Sequence, residues 1–380
     1  MKKKDESKER RAFLGKLTLG SIGLAMSAFV TNSKTVEENK KQMSKIKRVK
    51  AMGFQWETMD PFLFCVHHED KYPIGNENLG PDPNLLHGRQ IGQDFLLKDG
   101  WRMYHGASVP GFPQHPHRGF ETITVVREGL VDHADSTGAA GRYGNGDVQW
   151  MTAGKGVLHS EMFPLLSSEE ENPLELFQIW INLPKKNKMV DPHFKMMWTE
   201  SIPVFSEMDA NENKIMVEVI AGNFQDLTAP KPPPNSWAHE AVNDVMILNI
   251  HMDKNSSITI PKSAQEVNRM AFFYEGSNLT IDEITIPDYH SIELDGQQEV
   301  TFNSGDSVVK ILILQGKPIN EPVVQHGPFV MNTREEIQQA FMDYQQTQFG
   351  GWPWPKNDQT HGKEKQRFAK HSDGREELKT

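Results

Sequence analysis

Between Lys47 and Pro355 the apolar residues run in short alternating stretches, broken every few positions by Gly, Asp, Asn or Pro. A period of two places successive side chains on opposite faces of an extended strand, so a chain patterned this way folds as a β-sandwich or β-barrel. Thr122-Ile123-Thr124-Val125-Val126 is β-branched throughout, and Val308 to Leu314 is a near-continuous apolar strand. The clearest helix starts at Thr333, with Glu336 three residues on as a capping box. It continues through Ile337, Ala340, Phe341 and Tyr344 at helical spacing and ends near Gly350-Gly351. The fold class is therefore all-β, with a short C-terminal helix.

A chain of 380 residues is long enough for about two domains. The proline-rich stretch from Ala229 to Pro234 divides the body, giving domains over 47–228 and 229–355. The halves share an outline, Glu128-Gly129 then Gly146-Asp147 in one and Glu275-Gly276 then Gly305-Asp306 in the other, as an internal duplication would leave. Residues 31–46 are polar and lack aromatics, which reads as a linker. Residues 356–380 mix both charge signs and have little to bury, which reads as a mobile tail unless it docks on the body.

The single cysteine, Cys65, excludes a disulfide scaffold and a Cys-rich zinc module, and flanked by Phe64 and Val66 it reads as a buried, inert thiol. A net charge of -10 with no basic patch in the body argues against a nucleic-acid binder. Residues 1–30 read as an export leader: a basic start, then an apolar run from Leu17 to Val30 that is too short to span a bilayer comfortably. Arg10-Arg11-Ala12-Phe13-Leu14 resembles a twin-arginine signal, departing from it only at Glu9. The expectation is an exported, periplasmic protein with no stable membrane insertion once the leader is removed. Several cleavage frames fit the small residues Ala25, Ser27 and Ala28.

Two short motifs carry the chemistry. His115-Pro116-His117 opens a β-branched stretch, and His159-Ser160-Glu161 follows a Gly-rich turn. Each pair is spaced i, i+2, so on a strand both members project from one face. If the two strands face one barrel interior, three imidazoles and one carboxylate converge as a metal site. Such a donor set suits Fe(II), Mn, Co, Ni, Cu or Zn and leaves open positions for substrate or dioxygen. Glu121, four residues past His117, is either a fifth ligand or a carboxylate that orients a histidine. His67 and His68 are adjacent and diverge on a strand; with His87, His105, His133, His193 and His251 they read as structural.

The run Gly111-Phe112-Pro113-Gln114-His115-Pro116-His117-Arg118-Gly119-Phe120-Glu121-Thr122 resembles the signature of the pirin family, within the cupin superfamily. Gly146 to Gly154, continuing to His159-Ser160-Glu161-Met162, resembles its second motif. A third resemblance runs from Gly316-Lys317-Pro318-Ile319 to Gly327-Pro328-Phe329-Val330-Met331-Asn332-Thr333. The resemblance implies two tandem cupin β-barrels, the N-terminal one holding the metal and the C-terminal one metal-free, with His115, His117, His159 and Glu161 as ligands. Thirteen residues before Glu128 stands His115, whereas thirteen before Glu275 stands Lys262, with Ala264 two further on.

Pirins are usually iron-containing, so the resemblance implies Fe(II) first, with Mn, Ni, Co, Cu or Zn as alternatives. Several members resemble quercetin 2,3-dioxygenase, which opens a flavonol with O2 and releases carbon monoxide. Carried onto this chain, that implies a small aromatic substrate and O2, with Glu161 both ligand and acceptor of the substrate's hydroxyl proton; separately, the expectation for the chain is a monomer. Other members are non-catalytic, metal-binding proteins that sense redox state and bind protein partners, a reading that the export leader weakens. A third reading is a cupin isomerase or decarboxylase that uses its metal without O2. The stretch Lys71 to Asp99 looks like an insertion, and it either shapes the pocket mouth or forms a surface loop.

Overall fold

The computed structural model describes residues 45–208 and 212–379. The leader at 1–30 and nearly all of the linker at 31–46 lie outside the described residues. What is described is β-structure in two barrels, plus one α-helix, Arg334–Thr347, which starts on the expected capping box: Thr333 Oγ1 accepts from Glu336 N, and the Glu336 carboxylate accepts from Thr333 N. Among the described residues no helix is long and apolar enough to cross a membrane.

In the first barrel one sheet runs His193–Met197, Val148–Thr152, Phe120–Glu128, Asn172–Asn182, Phe62–Tyr72, Gln55–Trp56. The other runs Gly111–His117, Val157–Met162, Leu130–Asp135, Ala140–Gly144, Phe368–Lys370, Glu376–Leu378. The second barrel repeats the plan. Its larger sheet runs Ile46–Ala51, His290–Asp295, Asn268–Glu275, Val309–Gly316, Met246–Met252, Lys214–Ala221, Val204–Met208, and its smaller one Ser257–Ile260, Val300–Ser304, Leu279–Ile281, Ile284–Ile286. Apart from edge strands, the order of pairing along the chain matches between the barrels, as a duplication requires.

Three expected boundaries differ. The N-terminal strand Ile46–Ala51 pairs with His290–Asp295 and closes the edge of the second barrel. Val204–Met208 and Lys214–Ala221, expected in the first domain, also belong to the second barrel's sheet, so the change of barrel precedes the proline stretch at 229–234. The charged tail is ordered: Phe368–Lys370 pairs with Ala140–Gly144 of the first barrel, and Glu376–Leu378 pairs with it in turn. Each terminus thus covers a sheet edge that would otherwise leave a row of unpaired N–H and C=O groups.

The barrels pack sheet on sheet. Ile123, Val125, Phe177 and Ile179 of the first meet Ile247, Phe272, Leu312 and Leu314 of the second in one apolar cluster, with Trp56 stacked on Phe272 at 5.0 Å between ring centres. Cys65 is fully buried in this cluster, and burial raises its thiol pKa well above the ordinary range, which keeps it an inert thiol. Because side chains alternate along each strand, burying Phe177 and Ile179 at the interface turns Leu176, Gln178 and Trp180 into the first barrel. The second barrel's interior is filled with hydrocarbon, with Ile258, Ile260, Val300 and Phe302 on the strands that correspond to the histidine-bearing ones.

Candidate metal centre

The strands Gly111–His117 and Val157–Met162 lie antiparallel, and His115 sits directly opposite His159. Opposed residues share a face, so the cross-strand pair and the i, i+2 spacing together bring His115, His117 and His159 to one point. The register slips by one residue between Phe112 and His115, at Pro113-Gln114. Pro113 has no N–H to give to the ladder, and the bulge restores the parity that aims Phe112, His115 and His117 into the same cavity.

The strand ends where the chain turns at Arg118-Gly119, and the third motif clamps that turn. Val330 N donates to Arg118 O at 3.0 Å and Arg118 N to Pro328 O at 3.3 Å. The buried Lys188 Nζ donates to Gly119 O and Asn182 Oδ1, both at 2.7 Å, and to Val330 O at 3.1 Å. Gly119 has φ +86°, and a Cβ there would meet the Val330 carbonyl.

One ligating nitrogen from each of the three imidazoles lies within 4.8 Å of the others, the one cluster of this kind among the described residues. Burial holds all three below the ordinary histidine range, His115 at about 4 and His117 and His159 well under the usual value, so the rings are neutral. His115 Nδ1 donates to the Pro113 carbonyl at 2.9 Å, which leaves the Nε2 lone pair facing His117 Nε2 at 3.1 Å. His159 is fully buried, and neither of its ring nitrogens has a hydrogen-bond partner. An orphaned buried polar atom costs about 1–3 kcal/mol, and converging neutral imidazole lone pairs are what a first-row divalent ion binds. The residues present fit a metal.

Glu161 Oε2 lies 3.8 Å from His159 Nε2. Its carboxylate is held by Thr124 Oγ1 on Oε1 at 2.9 Å and by Gln178 Nε2 on Oε2 at 2.8 Å. Burial raises its pKa, and the Thr124 bond opposes that. Thr124 and Gln178 were not singled out in the sequence; the signal was parity, since Gln178 lies two residues from both Leu176 and Trp180 on one strand.

Glu121 is neither a ligand nor a partner of a ligating histidine. Its parity with His117 does not carry across Gly119, because Phe120–Glu128 belongs to the opposite sheet. Glu121 instead faces away from the cavity, accepts from Thr152 Oγ1 at 2.6 Å, and burial raises its pKa to about 7. His133 bonds Asp135 at 3.2 Å and packs beside His159, a supporting role. His68, set aside with its neighbour, lines the cavity.

The cavity holds about 580 Å³ and is walled by aromatic rings, among them Phe54, Phe64, Phe95, Phe112, Phe163 and Trp180, with His115, His117 and Glu161 on its lining. Phe95 comes from the insertion-like stretch 71–99, which therefore shapes the pocket mouth. Trp180 packs on His117 at 5.4 Å and on Phe120 at 4.3 Å between ring centres, so wall and metal centre are one packed unit.

The family model described as pirin matches residues 43–181, and that of the pirin C-terminal cupin domain matches 247–350. The chain belongs to the pirin family. A pirin-like protein of Caulobacter vibrioides is 37% identical to this pirin over 246 residues, covering 63% of this chain and 80% of the relative. The pirin of Rattus norvegicus is 33% identical over 283 residues, covering 71% and 85%. Among solved structures, quercetin 2,3-dioxygenase from Acinetobacter baumannii superposes with a TM-score of 0.63 at 25% identity, covering 81% of this chain and 98% of that one. This pirin is a bicupin, with its histidine cluster in the N-terminal barrel.

Proposed function

We propose that this pirin is a metal-dependent dioxygenase that cleaves a flavonol such as quercetin with O2. The observation that carries the reading is a cavity of about 580 Å³ whose wall is aromatic and whose lining includes metal-competent imidazoles beside a buried carboxylate. The name of the Acinetobacter baumannii protein supports the substrate class. His115, His117, His159 and Glu161 would hold the ion, Fe(II) by first preference and Mn, Ni, Co, Cu or Zn otherwise. Bound there, such an ion supplies Lewis acidity toward an enolic hydroxyl and redox access to O2.

The protein's own part follows from its side chains. The raised pKa of Glu161 suits it to take the hydroxyl proton of the substrate, and Thr124 and Gln178 hold the carboxylate in place as it does so. The rings of Phe112, Phe163 and Trp180 stack on an aromatic ligand and keep bulk water from it. Anaerobic loading with ferrous iron and quercetin, followed by air, tests the reading: the flavonol absorption band is expected to disappear with uptake of O2. A band that persists with Fe, and also with Mn, Ni, Co and Cu, discards it.

The reading of the leader is part of the proposal. Twin-arginine export carries folded proteins, so the ion is inserted in the cytoplasm, where its supply is controlled, before the protein reaches the periplasm. Replacing Arg10 and Arg11 by Lys is expected to strand the precursor in the cytoplasm; normal export of that variant refutes the leader.

A further inference from the structure

We infer that His68 is a second polar anchor in the cavity, accepting a hydrogen bond from a substrate hydroxyl at the end of the aromatic ligand away from the metal centre. The inference rests on the flavonol reading and narrows it to ligands hydroxylated on the distal ring.

His68 lines the cavity and is 5% exposed. Its Nδ1 lies 2.7 Å from the Tyr104 hydroxyl, and Tyr104 in turn donates to Asp70 Oδ2 at 2.6 Å. Arg102 Nη1 donates to Asp70 Oδ1 at 3.0 Å. Since the tyrosine proton goes to Asp70, its oxygen is left to accept, so His68 carries its hydrogen on Nδ1. Nε2 is then a lone pair with no protein partner on a residue of the cavity wall. Burial holds His68 at about 3, so the ring stays neutral and its role is acceptance. Asp70 is raised to about 7 by burial, and at pH 8 it is ionised, the state this chain of bonds requires.

The position is set by the sheet. Phe64, Val66 and His68 pair with Trp180, Gln178 and Leu176, and all six line the cavity. Gln178 holds Glu161, and Trp180 packs on His117. His68 therefore sits one pleat repeat, roughly 7 Å, beyond the level of the Gln178–Glu161 pair. A two-ring aromatic with one end at the metal centre reaches that level with its far ring. Phe54 and Phe112 flank the imidazole at 5.9 and 6.1 Å between ring centres, so the acceptor is set between two aromatic rings. A buried acceptor of this kind rejects an analogue that lacks the hydroxyl, because the lone pair is then desolvated and unpaired.

The test is anaerobic binding at pH 8 to the iron-loaded full chain, read by quenching of tryptophan fluorescence. Quercetin is compared with 3-hydroxyflavone, which lacks the ring hydroxyls. The quantity read is the preference ratio of the two dissociation constants. His68→Phe is expected to lower that ratio about five- to tenfold, with 3-hydroxyflavone bound as in the wild type. His68→Gln keeps an acceptor and is expected to hold the ratio within about twofold. Tyr104→Phe, which releases Nδ1 without changing the bulk of the wall, is expected to lower it at least about threefold. A ratio unchanged in His68→Phe and Tyr104→Phe, or both ligands weakened equally, overturns the inference, the second result marking a packing role. Oxygen uptake is scored separately: a His68-dependent preference without O2 consumption leaves the anchor standing and removes the dioxygenase reading.

Discussion

One buried ion pair anchors the first part of the ordered C-terminal tail, and breaking it should loosen that part. Arg142 lies on Ala140–Gly144 with its side chain 1% exposed, facing a fully buried Asp132. Nε donates to Oδ1 at 2.6 Å and Nη2 to Oδ2 at 2.7 Å, a two-point fork. The remaining nitrogen, Nη1, donates to the Gly362 and Lys365 carbonyls, both at 2.7 Å, and His361 N donates to Asp132 Oδ2 at 2.9 Å. Arg142→Met leaves Asp132 as an uncompensated buried charge, which costs about 3–5 kcal/mol. Adding Asp132→Leu removes that charge and should recover a kcal/mol or more of the loss, whereas the segment around Gly362 and Lys365, deprived of its carbonyl anchors in either case, stays loosened. Urea unfolding gives the energies, and limited proteolysis within 356–379 reports the tail. A wild-type tail cut as fast as that of Arg142→Met, or a destabilisation below about 1 kcal/mol, would refute the reasoning.

Other outcomes follow from the same structure. Gly119→Ala forces a Cβ against the Val330 carbonyl at a left-handed φ, so it should cost about 2 kcal/mol or more and lower metal content, measured by melting and by elemental analysis. Glu121 titrates at about 7 when folded against an ordinary 4.5, so the folded state holds its proton more tightly than the unfolded one. The stability of the wild type relative to Glu121→Gln should therefore fall as pH rises from 4.5 to 7, by on the order of 3 kcal/mol, and a pH-independent difference in urea midpoints would contradict this. Deleting residues 46–51 uncovers the edge strand His290–Asp295 and should lower the unfolding midpoint of the second barrel or drive self-association, visible by scattering.

Local parity made much of the centre legible in the sequence. His115 with His117, and His159 with Glu161, are each two apart, and a strand leaves such pairs little choice but to share a face. The helix was equally legible, because Thr333 and Glu336 satisfy its first turn by themselves. What escaped was decided at a distance. Nothing in Ile46–Ala51 names His290–Asp295 as its neighbour, and the polar tail docks on distant partners, among them Arg142, which offers buried donors to its carbonyls, and the strand Ala140–Gly144. Glu121 misled because parity was carried across Gly119, where the chain changes sheets. His68 was passed over since its meaning depends on Tyr104, which lies 36 residues on and beyond the insertion.

The central claim is that His115, His117 and His159 hold one divalent ion in the N-terminal barrel. The most direct measurement is metal content per chain, by elemental mass spectrometry, for the wild type and for His115→Ala, His117→Ala and His159→Ala, each checked for native β-structure by circular dichroism. The account requires about one transition ion per wild-type chain and its loss from each folded variant. Variants that keep their fold and carry as much metal as the wild type would contradict it.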